Sequence, residues 1–411
     1  MDARRRAWRA PLSLYVAGLL WAVAAPSAYG AGYAINAHGA ASAGVGGAST
    51  ARVDLPQAAI VNPAASLYAP GVSVGVEGLL GGLTHTSTSG VETPSEGAGS
   101  GVPNLSASLA WESFGLSASL HAPFGSSVAW PQGWAGRYES TGSSLSVLEL
   151  GLNGAWRPHP DVSVSLGVKG QRLSFETSRA ISTARQGADA SVRVDGQSLG
   201  VAGQASVLWR ATGALHVGAT LRSATTHEAR GVADFERVPV ELDARARDSR
   251  ATTTLVLPWR AVAGAAYVFE AGTLSADVEL WGWGAVDTLR VDFDDEGVED
   301  VEQPRAWSNT VSARAGYEHQ VGQQWVVRVG GSWDTSPIPP QTLGASSPGS
   351  SRWGLHTGAG WDITPELRLD VAAQWLGLLT RASTNSSGLP GSYGGRVVVL
   401  SANVSWWMDA L

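Results

Sequence analysis

The sequence predicts an all-β protein: a fourteen-stranded antiparallel transmembrane β-barrel with an N-terminal hatch, or plug, in its lumen. Three observations predict this fold. About fourteen stretches carry an apolar residue at every second position, their connections are alternately short and long, and no apolar run beyond the N-terminus is long enough for a transmembrane helix. Because helices and closed barrels satisfy every backbone group in hydrocarbon, a membrane position for this chain requires a barrel.

The first thirty residues, 1–30, are predicted to be a secretory signal peptide. The apolar run is about fourteen residues, shorter than the roughly 20 that span a bilayer, which disfavours an anchor helix. We therefore expect the mature chain in the bacterial outer membrane. The parts of the signal are, in order, four basic residues, the apolar run and small residues for cleavage: Arg4, Arg5, Arg6, Arg9, Leu12 to Ala25, Ala28 and Gly30.

Residues 31–70 come next and do not alternate. This segment is rich in Gly and Ala, too long for a leader and too apolar for a flexible tail. We expect it to lie inside the barrel as a hatch, with residues 71–411 forming the barrel itself.

The barrel strands follow from period-two patterns. In the clearest one, Val162 to Lys169, every even position is aliphatic and every odd one is small, hydroxylic or charged. Such a strand presents one face to lipid and the other to a polar lumen. The predicted strands are 71–84, 103–112, 114–122, 144–157, 161–176, 197–210, 214–230, 252–269, 273–291, 305–320, 324–334, 351–362, 366–382 and 395–407.

The connections predict sidedness. Tight turns with Pro, Gly or Asp alternate with long polar links, and an even strand number places both termini on the side of the short turns. An interfacial girdle explains the aromatic residues near those turns better than scattered core aromatics do. These residues are Trp111, Trp156, Trp209, Tyr267, Tyr317 and Trp361.

Composition limits the function classes. Charged residues make up 15% of the chain, which is low for a soluble surface. The chain contains 18 Trp and only 6 Phe residues, a balance that suits a lipid-facing wall. The absence of Cys excludes disulfides and thiolate metal sites. A formal net charge of −7, more negative once the arginine-rich signal is removed, argues against nucleic acid as a partner. The dispersed His residues predict no metal site, and we predict no cofactor.

Short motifs resemble the FadL family of outer-membrane transporters for long-chain fatty acids and aromatic hydrocarbons. The Asn-Pro-Ala triplet, residues 62–64, resembles the family mark, and the other segments occur in the family's order over essentially the whole mature chain. They are Ala31 to Asn36, Gly44 to Ala48, Ile60 to Ala65, His121 to Gly125, Trp134 to Tyr138, Leu255 to Pro258, Trp283 to Arg290 and Asp334 to Pro339.

The resemblance implies a route for substrate. A hydrophobic molecule would enter from the external loops, rest in an apolar pocket and leave sideways through a kinked third strand. Pro123, Phe124 and Gly125 mark that opening, since Pro cannot donate to the ladder and Gly tolerates a bulge. The alternative is that the strand simply ends there.

Two further groups of residues are candidates. Asn62, Pro63 and Ala64 would anchor the hatch, although Asn-Pro also commonly opens a turn. The outer-loop residues Trp130, Trp134 and Tyr138 would form an external apolar groove for capture, or else belong to the interfacial girdle.

Four cations are candidates for contact with a fatty carboxylate: Lys169, Arg172, Arg305 and Arg314. Lys169, Arg172 and Arg314 are expected to face inward, and the alternative is that such cations pair with lumen acids such as Glu279. Family members that take fatty acids often place a base near the start of strand ten. Ser308 stands there in this chain, with Arg305 the nearest cation, which leaves room for neutral hydrocarbons.

We thus predict a monomeric, non-enzymatic transporter that takes up fatty acids or related hydrocarbons passively, with outer-membrane lipids as its other partners. Alternatives are a porin for polar solutes and, less favoured, a lipase, for which no outward Ser and His pair is evident. The hydrolase-like pattern at 196–200 opens an antiparallel strand and is attributed to chance. The acidic stretch 292–302 is expected to be a solvated loop, with weak divalent-ion contact left open.

Overall fold

The computed structural model describes residues 32–97, 99–183, 189–240, 246–386 and 388–410 of the 411-residue chain. The predicted signal peptide lies outside the described residues. Within these ranges, no helix is long and apolar enough to cross a membrane.

The described residues form a closed antiparallel barrel in which 14 strands follow one another around the ring. The last strand closes the wall against the first, with Gly71 opposite Trp407 and Ser87 opposite Gly391. The prediction of a closed fourteen-stranded barrel is therefore confirmed. The ring strands are β1 Gly71–Ser87, β3 Ser100–Ala110, β4 Phe114–Ala129, β5 Gly142–His159, β6 Val162–Ile181, β7 Ala190–Arg210, β8 Leu215–Arg222, β11 Arg260–Phe269, β12 Gly272–Trp281, β15 Thr310–Val321, β16 Trp325–Asp334, β17 Arg352–Thr364, β18 Leu367–Ser383 and β19 Gly391–Trp407.

Five further strands extend the wall or its long loops. Three stretches predicted as single strands are each divided in two. The division after β10 falls at Pro258, which has no N–H for the ladder, and that after β12 at the 3₁₀ turn Trp283–Ala285. The five strands outside the ring of fourteen are β2 Glu92–Pro94, β9 Thr225–Glu236, β10 Ser249–Leu257, β13 Thr288–Phe293 and β14 Val301–Pro304.

The predicted alternation of faces is present along the strands. On β6, Leu166 and Val168 are exposed on the outer face, whereas Ser163, Ser165 and Lys169 are buried on the inner face. Aromatic residues near the short turns are exposed, as a girdle at the membrane interface requires. They are Trp111, Trp156, Trp209, Tyr267 and Trp361.

The N-terminal segment, residues 32–70, has little regular structure. It contains the short helices Ala40–Gly44 and Ala58–Val61 and the 3₁₀ helix Pro63–Leu67. Nearly all of its residues are buried. The helices pack against strands from two parts of the ring, β16 to β19 and β3 to β7.

Candidate transport pathway

Side chains of the barrel wall hold the N-terminal segment through its backbone. The Gly39 N–H donates to Glu77 Oε1 at 2.6 Å, and the Ala40 N–H donates to Asn403 Oδ1 at 2.8 Å. On another part of the ring, Asp277 Oδ2 accepts from the backbone N–H groups of Ser49 and Thr50, both at 3.0 Å. A segment without regular structure leaves such backbone donors without partners in the segment itself. These wall side chains therefore accept the hydrogen bonds that a neighbouring strand or a helix would otherwise accept.

Glycines on the inner face of the wall give the segment room to approach. A Cβ on Gly316 would lie 2.4 Å from the Val45 carbonyl oxygen, and one on Gly330 would lie 2.5 Å from the Gly46 nitrogen. A Cβ on Gly218 would likewise lie 2.4 Å from the Thr50 carbonyl oxygen. The sequence analysis missed this glycine seat, Gly218, Gly316 and Gly330, although Gly inside a strand signals close backbone approach.

Asn62 is fully buried and joins three parts of the molecule. Its Nδ2 donates to the Thr50 carbonyl oxygen at 2.8 Å and to the Val207 carbonyl oxygen on β7 at 3.1 Å. Its Oδ1 accepts from the Ala64 N–H at 3.1 Å, which caps the 3₁₀ helix that Pro63 begins. The triplet therefore does more than open a turn, because one side chain contacts both the N-terminal segment and the wall.

The predicted carboxylate contact Arg314 is already paired. Its guanidinium donates to Glu279 at 2.6 Å and to Asp334 at 2.7 Å, and it also contacts the Gly46 carbonyl oxygen at 3.3 Å. With two carboxylates in contact, Arg314 serves the lumen wall and the N-terminal segment. This geometry matches the alternative in which inward cations pair with lumen acids.

Lys169 and Arg172 occupy opposite faces of β6. Lys169 is fully buried on the inner face, but it does not border the large cavity described below. Arg172 is exposed on the outer face, so the prediction that it faces inward is wrong. The physical reason is the period of two, which places residues three positions apart on opposite sides of a strand.

The wall has a gap beside the third strand of the ring, β4. The ladder between β3 and β4 ends at Leu105 opposite Leu120, and the pairing of β4 with β5 shifts register between His121 and Phe124. Pro123 lies within this irregularity, where its missing N–H costs the ladder nothing. The kink foreseen at residues 123–125 therefore coincides with the loss of one neighbouring strand.

Three residues of the N-terminal segment occupy that gap. The Ile35 N–H donates to the Pro123 carbonyl oxygen at 3.0 Å, and the Gly125 N–H donates to the Tyr33 carbonyl oxygen at 2.8 Å. Ala34 and Phe124 thus form an isolated antiparallel bridge. Residues 33–35 thus pair with β4 just beyond the point where its pairing with β3 ends.

Aromatic rings surround the same gap. The Phe124 ring lies 5.8 Å from that of Trp281 and 6.2 Å from that of Trp283, measured between centroids. The Tyr33 ring lies 5.2 Å from Trp307 and 6.0 Å from Trp283. This cluster is apolar and lies beside the bridge, so a hydrophobic molecule in the gap would touch aromatic faces.

A histidine pair lies further into the lumen. His38 and His121 stack edge to face with 4.6 Å between ring centroids. Burial, followed by the charge of His121, lowers the pKa of His38 well below its usual value. His38 in the N-terminal segment is therefore neutral at physiological pH.

A cavity of about 710 Å³ lies between the strands and the long loops, within the range of small-molecule sites. Tyr33 borders it, so the residue that bonds to Gly125 at the gap also forms part of the cavity wall. The remaining apolar lining comes from β5, β6, β7, β9, β10 and β13. It includes Leu145, Phe175, Val192, Val194, Phe235, Leu255, Val291 and Phe293.

Arg305 is the candidate cation that the structure places at this cavity. Its guanidinium is buried and donates to Ser347 Oγ at 3.1 Å and to Gln303 Oε1 at 3.2 Å. Among the described residues, no carboxylate lies within 4 Å of it to form an ion pair. Arg305 therefore has neutral hydrogen-bond partners at a cavity whose lining also includes Glu139, Glu176, Glu299 and Asp300, and its guanidinium can accept an anionic head group as a further partner.

The three aromatic residues predicted to capture substrate are not among those lining the cavity. Trp130 and Trp134 are buried and stacked, with ring centroids 4.4 Å apart, and their Nε1 atoms donate to the carbonyl oxygens of Ala345 and Ser140. Tyr138 is exposed and donates to Asp189 at 3.0 Å. The two tryptophans thus hold the outer loops together rather than forming an open groove.

The remaining motifs give no site. Ser198 Oγ lies 2.7 Å from His227 Nδ1, a pair that the sequence analysis missed, but His227 is fully buried and Ser198 belongs to the antiparallel strand β7. Near the acidic stretch, Asp300 accepts from the Phe293 N–H. Among the residues that the structure describes, no three His, Asp or Glu are grouped to hold a metal ion.

Comparisons with known proteins identify a matching family model and similar solved structures. The model of the family described as outer membrane protein transport protein (OMPP1/FadL/TodX) matches residues 21–406. Among proteins with curated descriptions, none matches significantly.

Similar solved structures include a Pseudomonas aeruginosa FadL homologue, with a TM-score of 0.82, 18% identity, and coverage of 91% of this chain and 99% of that one. The P. putida toluene transporter TodX has a TM-score of 0.77 and 15% identity, with coverage of 92% of this chain and 100% of that one. The Ralstonia pickettii toluene transporter TbuX has a TM-score of 0.73 and 15% identity, with coverage of 91% of this chain and 99% of that one. At these identities the likeness shows the fold.

Proposed function

Because the chain belongs to the OMPP1/FadL/TodX family of outer-membrane transport proteins, we propose that it takes up hydrophobic small molecules across the outer membrane by passive diffusion. One observation carries this proposal. The apolar cavity of about 710 Å³ and the gap beside β4 share a residue, Tyr33, which borders the cavity and bonds to Gly125. The N-terminal segment thus contacts both the cavity and the wall gap through this one residue.

Release through the gap into the membrane follows from the physics of a hydrophobic substrate. Each buried CH₂ is worth about 0.8 kcal/mol relative to water, so leaving into the periplasm is costly. Leaving between β3 and β4 keeps the substrate among aromatic rings and then lipid. We therefore propose lateral release past Phe124, with residues 33–35 displaced during passage.

The N-terminal segment, residues 31–70, would be the hatch that gates this route. Its support is the set of wall bonds to Gly39, Ala40, Ser49 and Thr50 and its near-complete burial. A filled lumen excludes free diffusion of polar solutes. The protein is proposed to work as a monomer, without a cofactor and without catalysis.

The function is tested by uptake. Cells that lack the protein should take up a labelled long-chain fatty acid or toluene more slowly, and the full-length chain should restore the rate. The purified protein should show little ion conductance in planar bilayers and no release of fatty acid from phospholipid. High conductance would favour the porin alternative, and phospholipid hydrolysis would favour the lipase.

Arg305 is proposed to select substrates that carry a carboxylate. Arg305→Met keeps an unbranched side chain and removes the charge, so fatty-acid uptake should fall at least about tenfold, since a hydrogen bond to a charged group is worth about 1.5–3 kcal/mol. Uptake of toluene in the same cells should stay within about twofold. Arg305→Lys, which keeps the charge, is the matched control and should retain most fatty-acid uptake. Equal loss for both substrates would contradict a carboxylate contact.

Asn62 is expected to control how readily the hatch moves. Asn62→Ala removes the bonds to Thr50, Val207 and Ala64, each worth about 1 kcal/mol, so hatch displacement should be easier and uptake several-fold faster. Barrel assembly, followed by heat-modifiable migration on gels, should be unchanged because the ladders do not involve this side chain. Thr212→Ala, in the exposed short turn between β7 and β8, is the control. Normal assembly with unchanged uptake would reduce the triplet to a turn.

A further inference from the structure

The outer wall has a second interruption, between β7 and the strands that follow it. β7 pairs with β9 as far as Gln197 and with β8 only from Gln204 onward, so residues 198–203 have no ladder partner on this side among the described residues. Gly203 instead bonds to Ser223, with its N–H donating to Ser223 Oγ at 3.0 Å. Residues two positions apart direct their N–H groups the same way, so those of Leu199 and Val201 point into the interruption.

A hollow lies on the lipid-facing side of this interruption. Leu199 and Val201 protrude there and are 82% and 67% exposed. Gly170 on β6 lies opposite Val201, and Gly203 is its diagonal neighbour. A Cβ on Gly203 would meet nothing within 4 Å, and one on Gly170 only the Leu150 carbonyl oxygen at 3.9 Å. The two glycines therefore leave open space on the outer face beside the protruding Leu199 and Val201, and we call this apolar depression the groove.

Two arginines stand above the groove. Arg172 lies opposite Leu199 and donates to Gln197 Oε1 at 2.9 Å, and Gln197 in turn lies opposite Arg230. With strands about 4.8 Å apart and an offset of two residues along them, the Cα atoms of the two arginines are about 12 Å apart. The outer face of β6 is apolar at Leu166 and Val168 and becomes charged at Arg172, which is the level of lipid head groups.

Within the part of the chain that the structure describes, neither arginine is held in a close ion pair with a neighbouring carboxylate, so both can bind an added anion. Among the described residues, Arg172 has no carboxylate within 4 Å, and Arg230 reaches only Glu228, at 3.9 Å with both side chains exposed. The next row toward the loops holds Glu176, paired with Arg193 at 2.6 Å, and Asp195 opposite Glu176. An exposed pair at 3.9 Å is weak, so an anion can displace it.

We propose that this surface, Arg172 and Arg230 above the Gly170 and Gly203 groove, binds one phosphate-bearing lipid of the outer leaflet. The phosphate contacts the two guanidinium groups, for which its oxygens are well matched partners. An acyl chain lies in the groove against Leu199 and Val201. Phosphate or ester oxygens accept from the backbone N–H groups of these two residues, which are costly to leave without acceptors beside hydrocarbon. The proposal is independent of the transported substrate.

The test is binding of a diphosphorylated glycolipid to the purified barrel, measured by native mass spectrometry with phosphatidylcholine as the neutral competitor. The double variant R172Q/R230Q should bind the glycolipid at least tenfold more weakly, and Gly170→Leu, which fills the groove and keeps both charges, should also bind it several-fold more weakly. Arg290→Gln is the matched control. Arg290 is an exposed arginine paired with Glu302 at 2.5 Å, and its replacement should change binding less than twofold.

Three results would overturn the proposal. Equal weakening by Arg290→Gln would mean non-specific attraction by surface charge. Wild-type binding by Gly170→Leu would mean that no acyl chain uses the groove, and displacement of the glycolipid by an equal concentration of inorganic phosphate would mean a free-anion site. Heat-modifiable migration confirms that each variant is a folded barrel. Should Gly170→Leu not assemble, Gly203→Leu tests the same groove.

Discussion

A disulfide between positions 34 and 124 is expected to stop uptake almost completely, and a reductant is expected to restore it. Ala34 and Phe124 are bridge partners, and such partners have Cβ atoms about 4.5–5.5 Å apart, close to the separation that a disulfide spans. The chain contains no cysteine, so the double variant Ala34→Cys with Phe124→Cys introduces one pair of thiols and no competing thiol. The crosslink fixes residues 33–35 in the wall gap, which closes the proposed lateral route.

The measurement is uptake of a labelled fatty acid and of toluene before and after reduction, in the same cells. The single variant Phe124→Cys is the control for the loss of the Phe124 ring, which packs against Trp281 and Trp283, and the single variant Ala34→Cys is the control for the change at position 34. Quantitative crosslinking on gels with undiminished uptake would refute the gap as the exit. Substrate would then have to leave by another path past the N-terminal segment.

Substitutions in the glycine seat are expected to make the barrel leaky to polar solutes. Gly316→Val places a side chain where the nearest atoms of Val45 lie 2.4 and 2.6 Å from the new Cβ, so the backbone of residues 44–50 must move away. Overpacking of this kind costs about 1–3 kcal/mol, comparable to the hydrogen bonds that hold the segment. The double variant with Gly330→Val should act more strongly, since the two glycines are cross-strand partners.

Leakage is measured as single-channel conductance in planar bilayers and as sensitivity of cells to bulky hydrophilic antibiotics. Gly154→Val is the control, because Gly154 is exposed on the outer face and a Cβ there would meet nothing within 4 Å. It should assemble normally and stay non-conducting. A seat variant that assembles and conducts no more than Gly154→Val would show that the segment tolerates displacement without opening the lumen.

The period-two pattern was sufficient to predict the barrel, because the face on which a residue lies is a local property of an extended chain. Strand order, closure of β1 on β19 and the exposed aromatic residues near the short turns all followed from it. The same rule places Arg172 and Lys169 on opposite faces, since they are three positions apart, and the inward assignment of Arg172 overlooked this. The motifs at Asn62 and Pro123 drew attention to residues with specific contacts: Asn62 bonds to the wall and to the N-terminal segment, and Pro123 lies at the register shift of β4.

The tertiary structure decided what these motifs contact. Ala34 and Phe124 are distant in sequence. Nothing in the sequence around either residue indicates that Ala34 pairs with Phe124 where β4 has no pairing with β3. Burial of Trp130 and Trp134 arises because the long outer loops fold over one another, which strand periodicity does not describe. The sequence gives no basis for distinguishing Arg305 from Arg314. In the structure Arg305 has neutral partners at the cavity, whereas Arg314 pairs with two carboxylates. A charge is neutralised or left available by residues from other strands, and only the closed ring brings those strands together.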